Sequence, residues 1–514
     1  MFQPSRYQLA IFNFVKNGQG HGLVDAVPGS GKTTSLIEAA TFLPPNCKAI
    51  FLVFNKHIAV ELGKKLAASN SPMEASTIHS LGMQALRGLG KRLSIQEKKY
   101  QTIARTYLES KGAYDYTLLT QFKKLISFAQ MTLVNASSEE SLLQIIDHYD
   151  LELSPYDIEW PILRRGVRHV LDKGIEQAHT FGSIDFNDIV WLPSILNLAP
   201  AKADFLFVDE CQDLNAAQLA LVMKSVNGSG RLLFIGDRRQ SVYGFAGADT
   251  QSVQTIIERT NATVLPLSIC YRCPKRHVEL CAEIFPGIES APWAKEGTVS
   301  TIVADRLEEY VQPGDLIICR TTAPLVETCL SLLRAGVRAK VRGRDIGANF
   351  ITLINKLKKQ PAFRFERFTE ILLEYRQQQA ILIGVGKDAD MKLANLDDKV
   401  DTILALHGAY LDTLSHAHQA DMEGFQSYIN TFFSDEHGRM VVLSTVHKAK
   451  GLEEERVFIL KPDLMPHPKA KPGWQLEQEY NIKYVAYSRA KADLFIVQEK
   501  TPAGPVQVPQ RAVA

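Results

Sequence analysis

The sequence predicts an α/β protein with two parallel β-sheets flanked by helices and with mainly helical insertions. In the first half, four apolar runs typical of strands are each followed by turn residues and helical periodicity: "HGLVDAV", "KAIFLVFN", "ADFLFVDE" and "RLLFIGD". A second set follows in the second half: "GDLIICR", "VRAKVRG", "MVVLSTV", "ERVFILK" and "DLFIVQE". Strands that alternate with helices form parallel sheets covered on both faces, so the pattern predicts two α/β units.

Two long stretches, residues 92–180 and 346–438, lack strand signals and carry helical periodicity. We interpret both as helical insertions in the α/β units. The Pro-rich tail, residues 501–514, is expected to be disordered. This interpretation divides the two α/β domains as follows: residues 1–91 and 181–262 form the first, and residues 263–345 and 439–500 form the second.

Length and composition describe an ordinary globular protein of several domains. The chain of 514 residues is too long for a single core, and its 46% hydrophobic and 22% charged residues are typical of soluble proteins. No apolar run reaches the roughly 18 residues that span a bilayer, and no export signal is visible at the N-terminus. Seven cysteines fit a reducing compartment better than a disulfide framework. We expect a cytoplasmic location and no membrane partner.

The net charge of +2 points to no particular partner, but ten basic residues lie between positions 334 and 367. Only Asp345 and Glu366 oppose them in that stretch. Two interpretations stay open: a surface that follows a phosphate backbone, or a solvated helix face. The ten residues are Arg334, Arg338, Lys340, Arg342, Arg344, Lys356, Lys358, Lys359, Arg364 and Arg367.

The stretch "DAVPGSGKTT", which begins at Asp25, predicts a site for a nucleoside triphosphate. It nearly matches the pattern Gly-x-x-x-x-Gly-Lys-Ser/Thr and lies between a short apolar strand and an apolar helical pattern. Its glycines let backbone N–H groups converge on phosphate oxygens at a helix N-terminus. Lys32 would then reach the β- and γ-phosphates, and the Thr33 hydroxyl would bind Mg²⁺. The expected phosphate-loop residues are Ala26, in place of the first glycine, and Val27, Pro28, Gly29, Ser30, Gly31, Lys32, Thr33 and Thr34.

Two adjacent carboxylates, Asp209 and Glu210, follow the apolar run "FLFV". Such a pair at the end of a strand is costly unless a cation or a reaction uses it, although alone it is more often a solvated loop. Because this pair follows a strand and accompanies a phosphate loop, we assign Asp209 to Mg²⁺. We assign Glu210 to the attacking water as general base.

Four further motifs indicate what the triphosphate is used for. They are "GDRRQSVYGF", "LSICYRCP", "VVLSTVHKAKGLEEERVFIL" and "NIKYVAYSRAK". With these motifs in order, nearly the whole chain resembles superfamily 1 DNA helicases of the UvrD/Rep family. The wording "LVFNKHIAVEL", "TIHSLGMQALR" and "YVAYSRAK" is most similar to the short members related to F-box DNA helicases. The resemblance implies two RecA-like domains, 1A-like and 2A-like, with a 1B-like and a short 2B-like insertion.

The resemblance also implies a role for individual residues around ATP. Gln8 would read the adenine edge, Tyr271 would stack on that base, and Glu453 would lie near the ribose. Gln240 would couple the γ-phosphate to the DNA-binding loop that follows it. Two cations of the second α/β unit would approach the γ-phosphate and stabilise transition-state charge. The catalytic set is then Lys32, Asp209, Glu210, Gln240, Arg272 and Arg489.

The DNA contacts implied by the resemblance line a single-strand channel. Tyr243 and Phe245, both in "GDRRQSVYGF", offer flat faces on which bases stack. For an isolated aromatic residue, core packing would be the default interpretation. The full set is Phe54, Asn55, Lys56, Thr77, His79, Ser80, Tyr243, Phe245, Thr445, His447 and Lys448.

As a member of this family the chain would be an ATP-dependent translocase and helicase on single-stranded and partial-duplex DNA. A 3′-to-5′ polarity is implied by the resemblance only. Two alternatives stay open: a DNA-stimulated ATPase that strips proteins from single strands, and a DNA-binding clamp with residual ATPase. The pathway (repair, replication or recombination), the protein partners and the oligomeric state also stay open, a monomer being compatible with the sequence.

Three features depart from the family pattern. Ala246 stands where the family often has an arginine, and Asn481 stands where it usually has a basic residue. The second insertion is short compared with that of the large family members. A contact to DNA and the engagement of duplex DNA by this insertion are therefore not assumed.

A cysteine-rich stretch imitates a zinc site. Its spacing is Cys270-x2-Cys273-x3-His277-x3-Cys281, which differs from the common C-x2-C-x4-H-x4-C pattern. Tyr271 and the arginine after it already have roles in the ATP site. We therefore expect no zinc.

Overall fold

The computed structural model describes residues 3–499 apart from several short gaps. The predictions for Tyr243, Phe245, Ala246 and the tail 501–514 lie outside the described residues. The chain divides into two compact units, Met1–Ser268 and Ile269–Ala514. The gaps are residues 70, 150, 152, 154–157, 242–251, 359, 362, 385–388, 415–419 and 434–438.

The first unit contains a six-stranded sheet in which all neighbouring strands are parallel. Its strands, together with one two-stranded pair, are β1 Gly22–Ala26, β2 Ala49–Val53, β3 Met73–Thr77, β4 Ser94–Ile95, β5 Ser183–Ile184, β6 Ala203–Val208, β7 Val226–Gly236 and β8 Thr263–Leu267. The order across the sheet is β3–β2–β6–β7–β1–β8, and β4 pairs with β5 separately. The apolar central strands are buried because helices cover both faces of a parallel sheet.

Eleven helices belong to the described part of the first unit. They are α1 Arg6–Asn17, α2 Lys32–Ala40, α3 Lys56–Ala68, α4 Ile78–Leu86, α5 Lys99–Ser110, α6 Tyr116–Thr132, α7 Glu139–His148, α8 Trp160–Phe181, α9 Phe186–Ile195, α10 Ala216–Lys224 and α11 Ser252–Thr260. Helices α5 to α8, which span the first predicted insertion, share one hydrophobic core with α4 and α9. A buried ion pair joins α5 to α9, with Lys99 Nζ at 2.5 Å from Asp188 Oδ2.

The second unit contains another six-stranded parallel sheet. Its strands, with one short additional pair, are β9 Ile269–Cys270, β10 Glu289–Ser290, β11 Thr298–Val303, β12 Leu316–Cys319, β13 Ala339–Val341, β14 Val441–Thr445, β15 Glu454–Leu460 and β16 Ala490–Gln498. The order is β11–β16–β15–β12–β14–β13, and β9 pairs with β10. Both sheets thus have the parallel α/β architecture that the sequence predicts, which is confirmed.

Nine α-helices belong to the described part of the second unit. They are α12 Lys275–Ile284, α13 Leu307–Tyr310, α14 Ala323–Arg334, α15 Arg344–Lys358, α16 Phe368–Ile383, α17 Ala389–Asp412, α18 Met422–Phe432, α19 Val446–Ala449 and α20 Trp474–Tyr487. Helices α15 to α18 share one hydrophobic core with the sheet. Within the described ranges, no helix combines the length and the apolarity needed to cross a membrane.

The boundary between the units differs from the predicted one. The sequence interpretation starts the second domain at residue 263, but β8, which begins there, pairs with β1 of the first sheet. The division therefore falls after this strand, between Ser268 and Ile269. The run "TVLPL" of β8 contains Pro266, which weakens the strand pattern and which an edge strand tolerates.

The described basic residues between positions 334 and 367 are spread over α14, β13, α15 and the loops next to them, and Lys359 lies outside the described residues. Arg334 pairs with Asp412 at 3.0 Å, and Arg367 pairs with Glu370 at 2.8 Å. Both pairs are exposed, as in an ordinary solvated surface. This arrangement favours the interpretation as solvated faces, and contact of the run with a phosphate backbone stays a prediction.

Candidate functional site

The phosphate loop connects β1 to α2 and is shaped by two glycines in left-handed conformations. Gly29 has φ +64°, and Gly31, which caps α2, has φ +75°. Residues with a side chain rarely adopt this region. The Val27 N–H donates to the Leu267 carbonyl at 3.1 Å and so anchors the loop to β8. The chain thus enters the N-terminus of α2, where the first N–H groups have no partner within the helix and favour an anion.

Ser30 tests whether a phosphate fits this loop. Its side chain is buried, and its hydroxyl oxygen has no hydrogen-bond partner in the part of the chain that the structure describes. Leaving a buried hydroxyl without a partner costs about 1–3 kcal/mol. A phosphate oxygen in the loop would satisfy this hydroxyl, so the residues present fit a bound triphosphate.

Lys32 and Glu210 form an ion pair that joins α2 to the end of β6. Lys32 Nζ lies 2.8 Å from Glu210 Oε1, and Glu210 Oε2 accepts a hydrogen bond from Gln212 Nε2 at 2.5 Å. Burial disfavours the charge of Lys32, but the carboxylates of Glu210 and Asp209 outweigh burial and raise the pKa of the ammonium. Lys32 therefore remains a cation at physiological pH.

Asp209 is a partly buried carboxylate directly after β6. Burial raises its pKa to about 6, and the charge of Glu210 adds to the effect. Glu210 has φ +50°, a left-handed conformation that residues other than glycine adopt rarely and often at functional sites. A cation beside Asp209 would offset the cost of this buried negative charge.

Thr33 and Asp209 fit a magnesium ion that arrives with the nucleotide. Thr33 is exposed in the first turn of α2, so its hydroxyl is accessible. Mg²⁺ at nucleotide sites usually takes one or two protein ligands and completes its shell with phosphate oxygens and water. Groups of three or more His, Cys, Asp or Glu side chains that could hold a metal by themselves are absent from the described residues.

Gln240 belongs to a buried network at the carboxyl end of β7. Its Nε2 donates to Asp237 Oδ2 at 2.8 Å, and the Asp237 N–H donates to Gln212 Oε1 at 3.1 Å. Burial raises the pKa of Asp237 to about 6, although the charge of Lys32 opposes this. Because Gln212 also donates to Glu210, a continuous hydrogen-bond chain runs from the carboxylate of Glu210 to Gln240.

Gln8 is buried in α1 and holds this helix to α2. Its Nε2 donates to Ser35 Oγ at 2.9 Å, and its Oε1 accepts from the Ser5 N–H at 2.9 Å. Each polar atom of a carboxamide has capacity for one further hydrogen bond. Recognition of an adenine edge by Gln8 is compatible with these contacts and stays a prediction.

In the second unit, three predicted site residues lie together. Arg272 forms an ion pair with Glu453, and its Nη1 donates to the Ser488 carbonyl at 3.5 Å. Arg489, which follows Ser488 in the chain, is buried, and its Nε donates to the Val485 carbonyl at 3.0 Å. Both predicted cations thus lie in one place in this unit. Arg272 comes from the loop before α12, Arg489 from the end of α20, and their neighbour Glu453 directly precedes β15.

Tyr271 stacks on an aromatic side chain that the sequence analysis did not select. The rings of Tyr271 and Trp293 are 5.7 Å apart at 22°, and Trp293 is 71% exposed. The two residues follow the paired strands β9 and β10, which fixes their separation. Trp293 therefore holds one face of the ring that was predicted to stack on a base.

The candidate DNA residues of the first unit start from one edge of its sheet. Strands β2 and β3 are parallel neighbours in which Val53 pairs with Thr77. Phe54 follows β2 and is 59% exposed, a position open to a base. His79 follows β3, and burial lowers its pKa, which keeps it neutral at physiological pH.

Several of these residues also cap the helices that follow the strands. Asn55 Oδ1 accepts from the Ile58 N–H at 2.9 Å at the start of α3, where Lys56 is the first residue. Thr77 Oγ1 accepts from the Ser80 N–H at 3.1 Å at the start of α4. The N-termini of both helices therefore lie at this edge, and such N-termini favour phosphate.

The candidate DNA residues of the second unit have the same arrangement. Thr445 ends β14 and pairs with the end of β12, while His447 and Lys448 lie in α19 directly after it. Arg320 follows β12 and binds Glu479 with Nη2–Oε1 at 2.6 Å. Burial and the charge of Arg320 lower the pKa of His447 to about 3, so this imidazole is neutral.

The cysteine-rich stretch makes other contacts. His277 Nε2 lies 2.8 Å from the Thr298 carbonyl, and the Cys281 thiol lies 4.0 Å from the Tyr484 carbonyl. The Cys273 N–H donates to Cys270 Sγ at 3.4 Å. These four side chains do not gather into a metal-binding group within the described residues.

Comparisons with known proteins agree with this arrangement. The family described as "UvrD/REP helicase N-terminal domain" matches residues 9–261, and the "UvrD-like helicase C-terminal domain" matches residues 427–501. The chain belongs to the UvrD-like helicases of superfamily 1. The predicted resemblance is thereby confirmed, together with the enzyme class, ATP binding and DNA binding that characterise this family.

Relatives of this UvrD-like helicase carry names of the same kind. It is 22% identical to an ATP-dependent DNA helicase PcrA of Leuconostoc citreum, over 94% of this chain and 80% of that protein. It is 25% identical to ATP-dependent DNA helicase Rep of Buchnera aphidicola, over 47% of this chain and 38% of that protein. It is 23% identical to DNA helicase II of Escherichia coli, over 46% and 34% respectively. The matches to Rep and helicase II thus cover about a third of those proteins.

Four residues at the site of this UvrD-like helicase were not predicted from the sequence. Gln212 and Asp237 connect Glu210 to Gln240, and both lie within or directly after quoted motifs. Arg320 ends the run "GDLIICR", so its place at a strand end beside Thr445 was a usable signal. Trp293 carries no signal in the sequence, because its contact with Tyr271 depends on the pairing of two short strands.

Proposed function

We propose that this chain is an ATP-driven motor that moves along single-stranded DNA in the 3′-to-5′ direction and separates duplex DNA. One observation carries the proposal. The ATP-site residues end β1, β6 and β7, and the candidate DNA residues end β2 and β3 of the same parallel sheet. Because the carboxyl ends of parallel strands share one edge, hydrolysis and DNA binding are supported by one rigid element.

The ion pair of Lys32 with Glu210 supports a hydrolytic role. A triphosphate would draw Lys32 towards its β- and γ-phosphates because it carries more charge than a single carboxylate. Glu210 would then keep its contact to Gln212 and accept the proton of an attacking water. In this proposal, binding of ATP prepares the general base.

Magnesium would be held by the Thr33 hydroxyl and the Asp209 carboxylate. When bound with ATP, Mg²⁺ supplies charge stabilisation for the phosphate oxygens. The raised pKa of Asp209 supports this assignment, since a buried carboxylate without a cation is disfavoured.

The hydrogen-bond chain from Glu210 through Gln212 and Asp237 to Gln240 supports coupling to DNA. A change at the γ-phosphate would alter the contacts of Glu210, and the chain carries that change to the end of β7. In this proposal, the residues that follow Gln240 bind single-stranded DNA together with Phe54. Hydrolysis of ATP then changes how tightly the chain binds single-stranded DNA.

The second unit would supply Arg272 and Arg489 to the transition state. Their location beside Ser488 in one part of that unit supports a joint role. We further propose that the two units are the 1A-like and 2A-like domains, with α5–α8 as the 1B-like and α15–α18 as the 2B-like insertion. Such an enzyme would act on cellular DNA, in the cytoplasm of a prokaryote or the nucleus of a eukaryote.

Unwinding of tailed duplexes tests the proposal. The substrate is a labelled duplex with a 3′ or a 5′ single-stranded tail, mixed with ATP and Mg²⁺. We expect strand separation with the 3′ tail only. The Lys32→Ala variant should bind single-stranded DNA but neither hydrolyse ATP nor unwind, while Lys65→Ala, which removes an exposed lysine, should behave as wild type.

Each alternative gives a different result. An enzyme that strips proteins would hydrolyse ATP on single strands and displace a bound protein, yet leave both tailed duplexes intact. A clamp would bind DNA with the same low ATPase rate in wild type and Lys32→Ala. Either result would overturn the proposed unwinding activity.

A further inference from the structure

Cys270 and Cys273 bracket Tyr271 and Arg272 in the sequence "CYRC". Two cysteines separated by two residues before a helix are the arrangement of reversible dithiols in redox proteins. Here the helix is α12, which begins at Lys275. Both cysteines are free and buried, and neither has a place in the proposed mechanism.

The backbone of the turn holds Cys273 beside the Cys270 sulfur. The backbone N–H of Cys273 donates to that sulfur at 3.4 Å. The N–H of Arg272 is a further donor to it, and the Arg272 guanidinium adds a positive charge nearby. The turn therefore surrounds the Cys270 sulfur with groups that stabilise a thiolate.

Two other buried cysteines differ from this one. The neighbouring Cys273 side chain lowers the pKa of Cys270 to about 7, with the backbone N–H groups adding to the effect. Burial instead raises the pKa of Cys319 to about 11 and that of Cys329 to about 12. Compared with Cys319 and Cys329, Cys270 is therefore the thiol that ionises more readily.

We propose that Cys270 and Cys273 are a redox modification site, oxidised by peroxide to a disulfide that disturbs the Tyr271–Arg272 turn. In the first step the Cys270 thiolate attacks hydrogen peroxide, the O–O bond breaks, and a sulfenic acid and hydroxide form. In the second step the Cys273 thiol attacks the sulfenic sulfur and water leaves. Two thiols are oxidised by two electrons, and one peroxide is reduced to two waters.

Access of the oxidant follows from the position of the pair. Peroxide is hardly larger than water, and the two residues between the cysteines are partly exposed. A bulky disulfide oxidant would not reach them. The proposal therefore names peroxide and not a protein or glutathione disulfide.

The disulfide would change contacts of the ATP site, and this part rests on the proposed function. The Ser488 carbonyl is the shared acceptor for Arg272 Nη1 at 3.5 Å and the Cys273 thiol at 3.6 Å. Oxidation removes the thiol hydrogen and brings the two sulfurs to about 2.05 Å from each other. Cys273 then leaves Ser488, and the backbone of Arg272 must follow.

Peptide mapping tests the site without any assay of activity. The full-length protein is treated with graded peroxide, blocked with a thiol reagent and digested with trypsin without reduction. Because trypsin cleaves after Arg272, a disulfide would join peptide 260–272 to peptide 273–275 and lose two hydrogen atoms. We expect this linked pair in wild type and Cys281→Ala, and its disappearance with dithiothreitol. If the pair is absent while other cysteines oxidise, the site is wrong.

Turnover under the same treatment tests the consequence. We expect DNA-stimulated ATPase activity to fall at least about tenfold in step with the linked peptide, since displacements near 1 Å at a catalytic group are that costly. Dithiothreitol should restore it. Cys270→Ala and Cys273→Ala, each compared with itself before peroxide, should resist, and Cys281→Ala should not.

The two assays separate the inference from the proposed function. A linked peptide with unchanged turnover would overturn the effect on the turn. A protein without ATPase activity even when reduced would refute the proposed function, and the peptide map would still decide the modification site. Equal loss of turnover in Cys270→Ala and wild type would place the sensitive thiol elsewhere.

Discussion

Replacing Glu210 with glutamine tests the proposed general base. Glutamine keeps the size of the side chain, and its oxygen can accept a hydrogen bond from either Lys32 or Gln212. Its NH₂ group cannot accept a hydrogen bond from the other of these two residues. The fold should therefore survive with one hydrogen bond lost. General-base catalysis contributes about 10²–10⁴-fold, so the barrier should rise by about 2.7–5.5 kcal/mol.

The affinity for ATP should move in the opposite direction. In the wild type, Glu210 competes with the triphosphate for Lys32 at 2.8 Å, and the amide removes this competition. ATP should therefore bind at least as tightly to Glu210→Gln while its hydrolysis nearly stops. Such a variant accumulates in the nucleotide-bound state.

The assay is steady-state phosphate release with and without single-stranded DNA, together with equilibrium binding of a fluorescent ATP analogue. Glu61→Gln serves as the matched control, because Glu61 is exposed and pairs only with Lys65 at 2.7 Å among the described residues. Its turnover should equal that of the wild type. A Glu210→Gln variant that loses nucleotide affinity and keeps its hydrolysis rate would refute the assignment.

Three further predictions follow from the structure. Arg489→Ala should lower DNA-stimulated turnover by about 10³-fold, the scale of arginine fingers, with a far smaller change in ATP affinity. Because Arg489 is buried, a melting curve must show an intact fold, and stimulated rates equal to wild type would contradict the role. Trp293→Ala should raise KM for ATP about 2- to 10-fold with little change in kcat, since one aromatic stack is lost, and an unchanged KM would exclude support of Tyr271. For Asp185, burial and the Asp188 charge raise the folded-state pKa to about 6 from 3.8, so the wild type loses unfolding free energy as pH rises through about 6. Asp185→Asn keeps the cap of α9. The difference in Tm between this variant and the wild type should increase in favour of the variant between about pH 4 and 6 and stay constant above that range. A Tm difference independent of pH would refute this.

The fold could be predicted where strands are buried on both faces. All nine apolar runs recognised in the sequence correspond to strands. Eight of them are central strands, which read as continuous apolar stretches, and the ninth, "VRAKVRG", is the edge strand β13. Three edge strands escaped notice: β3 "MEAST", β8 "TVLPL" and β11 "TVSTIV". An edge strand has polar residues or a proline in its run, so its apolar signal is weak.

The site could be predicted only where chemistry follows strand ends directly. Lys32, Glu210 and Gln240 stand in contiguous motifs, and each motif follows a strand that the sequence reveals. The hydrogen bonds that hold these side chains do not follow from the motifs. Gln212 binds both Glu210, which follows β6, and Asp237, which follows β7. The stack of Trp293 on Tyr271 likewise needs the register of a two-residue strand pair.

Ion pairs hold the predicted catalytic cations in both units. Lys32 pairs with Glu210 in the first unit, and Arg272 pairs with Glu453 in the second. A cation that already has a carboxylate partner costs little to keep in a protein without nucleotide, whereas an unpaired cation in a half-buried site would be expensive. In the proposed mechanism, a triphosphate would compete with each carboxylate for its cation. The affinity of Glu210→Gln for ATP therefore measures how much of the binding free energy this competition removes, which the turnover rate alone does not reveal.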